Sequence, residues 1–223
     1  MRLLPLFLAL FLVSGLAFGA SAPMNKDVIT PVKSDTGTAN RLGWVAIQTI
    51  AAAESSDDDQ IFNTTGGALN TTTNLIINST GTNSAYFLAQ PDVPRNIIGT
   101  VNASTNLSVK ITGADIANAT ITENLTWAAA SGVKASTKAF RTVTRVDATL
   151  SAGETAKTLK LGTGNLLGLN SKLSRNTVLA EFVNGVRETA AGSVTTNSTV
   201  LSLNTIDTYT APGGHATVVY YIV

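Results

Sequence analysis

The stretch Asn106-Leu107-Ser108-Val109-Lys110-Ile111-Thr112 decides the fold class. Its odd positions are aliphatic and its even positions polar, the alternation a strand needs when one face is buried and the other wet. Residues 117–127 repeat it: Ala119, Ile121, Leu125 and Trp127 fall on one side, Asn118, Thr120, Thr122, Asn124 and Thr126 on the other, and Glu123 alone interrupts the apolar side. Working outward, segments rich in Val, Ile, Thr and aromatics at 139–148, 155–161, 178–183, 194–203 and 216–223 predict further strands. Gly113, Gly132, Gly153, Gly162, Gly164, Gly168 and Gly185 fall in or beside the gaps and predict turns. Residues 42–53 fit helical and strand spacing alike; Trp44, Val45, Ile47, Thr49 and Ile50 tip the reading to a strand. Residues 216–223 are apolar at both parities, which predicts cover on both faces, from the chain itself or from a neighbour. The expected fold is all-β: an antiparallel, jelly-roll-like β-sandwich in one domain.

Composition narrows the chemistry. The 223 residues contain no cysteine and one histidine, His215, which excludes a disulfide scaffold, a thiolate cluster and a multi-histidine zinc site within one chain. A hydrophobic content of 44% with near-zero net charge argues against a wholly disordered chain.

At the N-terminus Arg2 precedes the apolar run 3–18, followed by the small residues Gly19, Ala20, Ser21 and Ala22. This reads as a secretion signal over residues 1–19, cleaved between 19 and 22, with a retained anchor as the competing reading. Residues 20–40 are polar and turn-rich and read as a flexible arm with one short strand near Val28-Ile29, and 41–223 as the sandwich domain. Removing the leader takes Arg2 with it and leaves 14 basic residues against 14 acidic ones, so no electrostatic footprint for nucleic acid or an anionic membrane is expected.

Candidate sites follow from short motifs. Eight Asn-x-Ser/Thr triplets, at Asn63, Asn70, Asn78, Asn102, Asn106, Asn118, Asn124 and Asn197, are N-glycosylation acceptors on a secreted chain; an Asn- and Thr-rich sequence also generates such triplets by chance. Asp57-Asp58-Asp59 could offer oxygen ligands to Ca²⁺ but lacks the spaced loop of an EF-hand, so a solvated turn is expected. Asp115, Glu123 and Glu181 are the carboxylates one would pair for glycoside hydrolysis, and nothing in their spacing does so. The inward parity of Glu123 calls for a partner such as Arg141 or Arg145. His215, after Gly213-Gly214, reads as a turn residue, and Gly162-Thr163-Gly164-Asn165 as a hairpin turn rather than a phosphate loop. The aromatics read mostly as core.

One block is more distinctive. In Gln90-Pro91-Asp92-Val93-Pro94-Arg95-Asn96-Ile97, two prolines flank Asp92-Val93 and fix an extended corner that feeds a strand. It resembles a family of poorly characterised tailed-phage and prophage structural proteins. In that family the corner is followed by a turn here read as Thr112-Gly113-Ala114-Asp115-Ile116, then strands here read as Ile121-Thr122-Glu123 and Lys138-Ala139-Phe140-Arg141-Thr142-Val143. Asn176-Thr177-Val178-Leu179 and Val219-Tyr220-Tyr221-Ile222-Val223 are similar too, and the likeness spans residues 60–223. It implies a virion β-sandwich, a capsid decoration or tail component, with no catalytic residues to transfer. The leader departs from that pattern, because virion subunits assemble without export.

The expectation is therefore a non-enzymatic, exported structural subunit of an extracellular or virion-like assembly, without a cofactor or a membrane span after cleavage. It would form homo-oligomers by strand pairing through the arm. The alternative is a secreted adhesin or carbohydrate-binding module with a glycan ligand.

Overall fold

Extended backbone dominates the computed structural model, which describes residues 31–32, 43–63, 74–81, 84–151, 157–190 and 192–223. Its strands are β1 (Pro31–Val32), β2 (Gly43–Ala53), β3 (Asp57–Asn63), β4 (Asn74–Asn78), β5 (Arg95–Ala114), β6 (Thr120–Phe140) and β7 (Thr142–Leu150). They continue with β8 (Leu159–Gly168), β9 (Val178–Val183), β10 (Val186–Arg187), β11 (Ser193–Thr195), β12 (Thr205–Asp207) and β13 (His215–Ile222). All pair antiparallel in two sheets. One has five strands in the order β1-β2-β13-β9-β10; the other has eight, running β11-β12-β8-β5-β7-β4 with β3 beside β8 and β6 beside β5. The antiparallel β-sandwich is the expected class. The leader, and the arm apart from β1, lie outside the described residues, as does Asn70.

The organising element is the β5–β6 ribbon. Its strands have 20 and 21 residues, against a usual strand length of about five or six. Along β5, Leu107, Val109 and Ile111 are buried while Asn106, Ser108 and Lys110 are exposed, as the alternation predicts. The outer edge of β5 pairs with β8 over its first part, Arg95 to Val101, and with β7 over its last, Leu107 to Ala114. Between them the β5–β6 register slips near Val101, Thr105 and Leu107, and the facing segment of β6 carries Ala129 at φ 48° and Gly132 at φ 86°. Gly132 adopts this left-handed conformation without a Cβ penalty, and its carbonyl accepts the indole N–H of buried Trp127 at 2.9 Å. The Asn106 Oδ1 accepts the Ala129 N–H at 2.8 Å.

The ribbon folds back at this slip. Glu123 and Thr137 belong to one strand, 14 residues apart, yet they touch; a straight strand would hold them about 46 Å apart. The Glu123 carboxylate accepts the Thr137 N–H (2.7 Å) and hydroxyl (2.9 Å) and the Lys138 N–H (2.9 Å). The Lys138 Nζ donates to the Thr122 carbonyl at 2.6 Å. Between the two halves lies the larger apolar cluster, which includes Ile61, Phe62, Ile97, Ile111, Trp127, Phe140, Val146 and Leu161. A second cluster joins the sheets: Ile50, Ala53, Val219 and Tyr221 of the five-stranded sheet pack with Leu167 and Ile206 of the eight-stranded one and with Val93.

Several expectations are corrected. Glu123 engages neither Arg141, which donates to Asn118, nor Arg145, which pairs with Asp147; the fold-back supplies backbone donors instead. The strand expected at 155–161 is β8, starting at Leu159, and it contains the Gly162-Thr163-Gly164-Asn165 stretch expected as a turn. A Cβ at Gly162 would meet the Asp57 backbone and one at Gly164 the Asn96 side chain, so close approach inside a sheet selects these glycines. Gly113 and Gly168 also lie in strands, whereas Gly132 and Gly185 hold positive φ; Gly153 is outside the described residues. Segment 139–148 is broken at Arg141, between β6 and β7. Segment 194–203 is not one strand: the buried Asn204 amide donates to the carbonyls of Asn197, Val200 and Leu201, gathering the chain into a loop with a 3-10 turn at Leu201–Leu203. Asn118 and Ala119 belong to the β5–β6 turn, with Asn118 at φ 63°, rather than to a strand.

Candidate functional site

The Pro91–Pro94 corner delivers the chain into β5 at Arg95, whose side chain is 0% exposed. Its Nε donates to the Gly164 carbonyl (2.7 Å), and its Nη1 to the Glu54 carbonyl (3.0 Å) and to both Asp92 carboxylate oxygens (3.1 and 3.2 Å). Asp92 in turn accepts the N–H groups of Glu54 (2.7 Å) and Val93 (2.9 Å). A buried cation is costly unless paired and hydrogen-bonded. This one ties together the corner, the β2–β3 connection and β8. Its Nη2 is buried without a hydrogen-bond partner among the described residues.

Beside the corner, an open depression of about 500 Å³ is lined by Glu54, Ser55, Ser56, Asp57, Asp58 and Ile98. Carboxylate oxygens of Asp57, Asp58 and Asp59 lie within 4.8 Å of one another, close enough to share a cation. Lys160 of β8 already supplies a positive charge, with Nζ 3.4 Å from Asp58 and 3.3 Å from Asp59. Its ammonium holds the Asp59 carboxyl below the ordinary range, and Asp59 raises Lys160 in return. The run expected as a solvated turn therefore opens β3, held to its neighbouring strand by an ion pair.

The Asn-x-Ser/Thr sites are scattered. Asn102, Asn106, Asn118 and Asn124 are exposed, whereas Asn63, Asn78 and Asn197 are half-buried. Several have structural work for the side chain. Asn63 donates to Asp59 at 2.8 Å, Asn102 accepts the Thr158 N–H at 3.0 Å, Asn118 accepts from Arg141 at 2.9 Å, and Asn197 accepts the N–H groups of Thr199 and Val200. Asn124 stands exposed on β6 with the outward parity expected of it.

The three carboxylates considered for catalysis lie on different elements, each engaged in its own structure. Asp115 closes the β5–β6 turn by accepting the N–H groups of Ala117 and Ala119, both at 2.9 Å. Glu123 clamps the ribbon as described. Glu181, 2% exposed on β9, accepts the N–H groups of Gly192 (3.0 Å) and Tyr209 (3.2 Å), tying the five-stranded sheet to segments beside β11 and β12. Burial pushes its carboxyl above the ordinary 4.5; the two N–H groups oppose the rise, and nearby Glu188 and Asp207 add to it. His215 is exposed at the start of β13, opposite Ala53.

Sequence reasoning missed the buried polar hubs. Gln48 donates to the Gly168 carbonyl and accepts the Asn170 N–H, both at 2.9 Å. Tyr221, whose hydroxyl burial holds protonated above its ordinary range, donates to the Asn170 side-chain carbonyl and lies 3.2 Å from the Ser171 hydroxyl. The signal for Gln48 was its parity: it lies on the side of β2 that carries Ala46 and Ile50 into the second cluster.

The last strand answers its double-apolar pattern unevenly. Thr217, Val219 and Tyr221 are buried, but Val218, Tyr220 and Ile222 on the other face are only half-buried. Their register partners there are Thr49, Ile47 and Val45 of β2, with Phe182 and Ala180 of β9 opposite Val218 and Tyr220. The Phe182 and Tyr220 rings pack 5.5 Å apart. None of these residues belongs to either apolar cluster, and at the rim of the same face Arg187 of β10, the register partner of Phe182, is exposed.

Among the described residues no helix is long and apolar enough to cross a membrane. No family model, curated protein or solved structure matches the chain.

Proposed function

We propose that the chain is a non-enzymatic structural protein, an exported β-sandwich subunit of an extracellular or virion-like assembly. The observation that carries this reading is the combination of a fold braced by its buried charges with a sheet face on β2, β13 and β9 whose apolar side chains Val45, Ile47, Val218, Tyr220 and Ile222 are left half-open to solvent. Arg95, Asp115 and Glu181 are committed to backbone groups that hold corners and turns in place. Such bracing suits a load-bearing unit, and a half-open strip of apolar side chains on a sheet face suits contact with another protein surface. The likeness of the Pro91–Pro94 corner and the following motifs to phage structural proteins supports the same reading, and the leader supports export. A glycan-binding module has less in its favour, since the exposed aromatics Trp44, Tyr86 and Tyr209 sit on separate elements rather than forming one platform.

The test is to express the chain with its leader, record the terminus and any glycan by intact mass, and examine the purified protein by negative-stain microscopy. Export with a shortened terminus and ordered multi-copy particles are expected. Uniform particles of single-chain size, or a protein retained inside the cell, would contradict the reading.

A further inference from the structure

We infer that the outer edge of β2 is a strand-binding edge and that its occupant is residues 24–30 of the same chain, laid along it in the register that β1 begins. The hydrogen-bond directions along β2 define the edge. Trp44 exchanges backbone hydrogen bonds with Val223 (3.3 and 3.0 Å), and Ala46, Gln48 and Ile50 follow it opposite Tyr221, Val219 and Thr217 of β13. Backbone groups alternate sides along a strand, so the N–H and carbonyl groups of Val45, Ile47 and Thr49 point the other way. Beyond Trp44 no strand pairs with that side among the described residues. The 11 residues of β2 include no charge and no proline, the usual means of blunting an edge, so this edge calls for a cover.

Continuity, register and parity select the occupant. β1 places Val32 opposite Gly43 and Pro31 opposite Trp44. Thr30 is bonded to Pro31, so an extended chain next passes Val45, and a strand from another molecule would first have to displace β1. Continued upstream, the same antiparallel register sets Thr30, Val28 and Lys26 opposite Val45, Ile47 and Thr49, the residues whose backbone groups point outward. The prolines fit this parity. Pro31 faces Trp44, whose groups are turned to β13, so the missing N–H is not needed there. Pro23 has the same parity, and Met24, Lys26, Val28 and Thr30 between the two prolines all keep an N–H. Val28, Ile29 and Thr30 are also strand formers, at the place where the sequence predicts a short strand. Residues directly opposite share a face, so Val28 comes beside Ile47, and Ile29 beside Ala46 at the rim of the second cluster. Seven extended residues span about 24 Å, the reach of the edge from Val45 to Ala51. The arm expected to pair strands between copies thus pairs within its own chain and closes the edge to others.

Amide exchange followed by nuclear magnetic resonance in the isotope-labelled full chain tests this, with sedimentation equilibrium on the same samples. Residues 24–30 are present whether or not the leader is cut between 19 and 22, so the outcome is independent of the export reading. Val45, Ile47 and Thr49 are expected to exchange at least about tenfold more slowly in the wild type than in Val28→Pro, where the ring replaces the donor facing Ile47. Ile29→Pro, which removes an N–H directed away from β2, is expected to keep the protection. Ala46 and Gln48, bonded to β13, should stay protected in all three proteins and report that the sheet is folded. Fast exchange of Val45, Ile47 and Thr49 in the wild type would show a bare edge and overturn the inference. Protection that survives Val28→Pro would give the edge to another occupant, and equal loss in both proline variants would refute the register. A wild type that sediments as two copies and falls to one in Val28→Pro would assign the strand to a neighbouring chain, which also overturns it.

Discussion

At the scale of single residues, the buried charges act as fasteners. Removing the Arg95 guanidinium strips three backbone and carboxylate acceptors of their donor and leaves Asp92, whose side chain is 17% exposed, without its cation. Arg95→Ala should lower the unfolding free energy by about 3–5 kcal/mol, read from chemical denaturation. Glu181 carries the opposite sign. Its folded-state carboxyl lies above the ordinary 4.5, so the unfolded chain gives up this proton first as pH rises. The stability contributed by this group is complete below 4.5 and is lost as pH climbs through the raised value. The wild type should thus lose stability relative to Glu181→Gln across that window, seen as a difference between their denaturation midpoints that changes with pH. A difference independent of pH would show that Glu181 titrates as an ordinary surface carboxyl.

At the scale of elements, the ribbon is long enough to need a lock. The Glu123 carboxylate is the lock, because it occupies the N–H groups of Thr137 and Lys138 where the ladder to β5 skips from Ala135 to Ala139. Glu123→Ala should cost about 1–2 kcal/mol and speed amide exchange at Thr137 and Lys138 before the rest of β6, whereas Glu123→Gln should recover part of the protection. The alternation around Leu107, Val109 and Ile111 made β5 legible, and the double-apolar end made β13 legible as a strand. The folding of the ribbon was not legible, because parity reports which side a residue faces and says nothing of where a strand bends. Ala129 at positive φ carries no sequence warning, and Gly162 and Gly164 look like turn glycines until the backbone of Asp57 and the side chain of Asn96 are brought against them.

At the scale of the molecule, the eight-stranded sheet doubles back along its long ribbon and the second cluster joins it to the five-stranded sheet. The Asp92–Arg95 block stood out in the sequence for its prolines, but its role depends on Glu54 and Gly164, 41 and 69 residues from Arg95. Likewise the acidic run acquires its meaning from Lys160, 102 residues from Asp58, and such distant pairings are invisible to local pattern. The central claim is that β5 and β6 double back and enclose the main core between their halves. Nuclear Overhauser contacts in the isotope-labelled chain test it most directly. The account predicts cross-peaks between the Glu123 side chain and the Thr137 amide, and between the Trp127 indole and the Gly99 α-protons. A spectrum with β5–β6 cross-strand contacts but neither of these would mean a straight ribbon, and would contradict it.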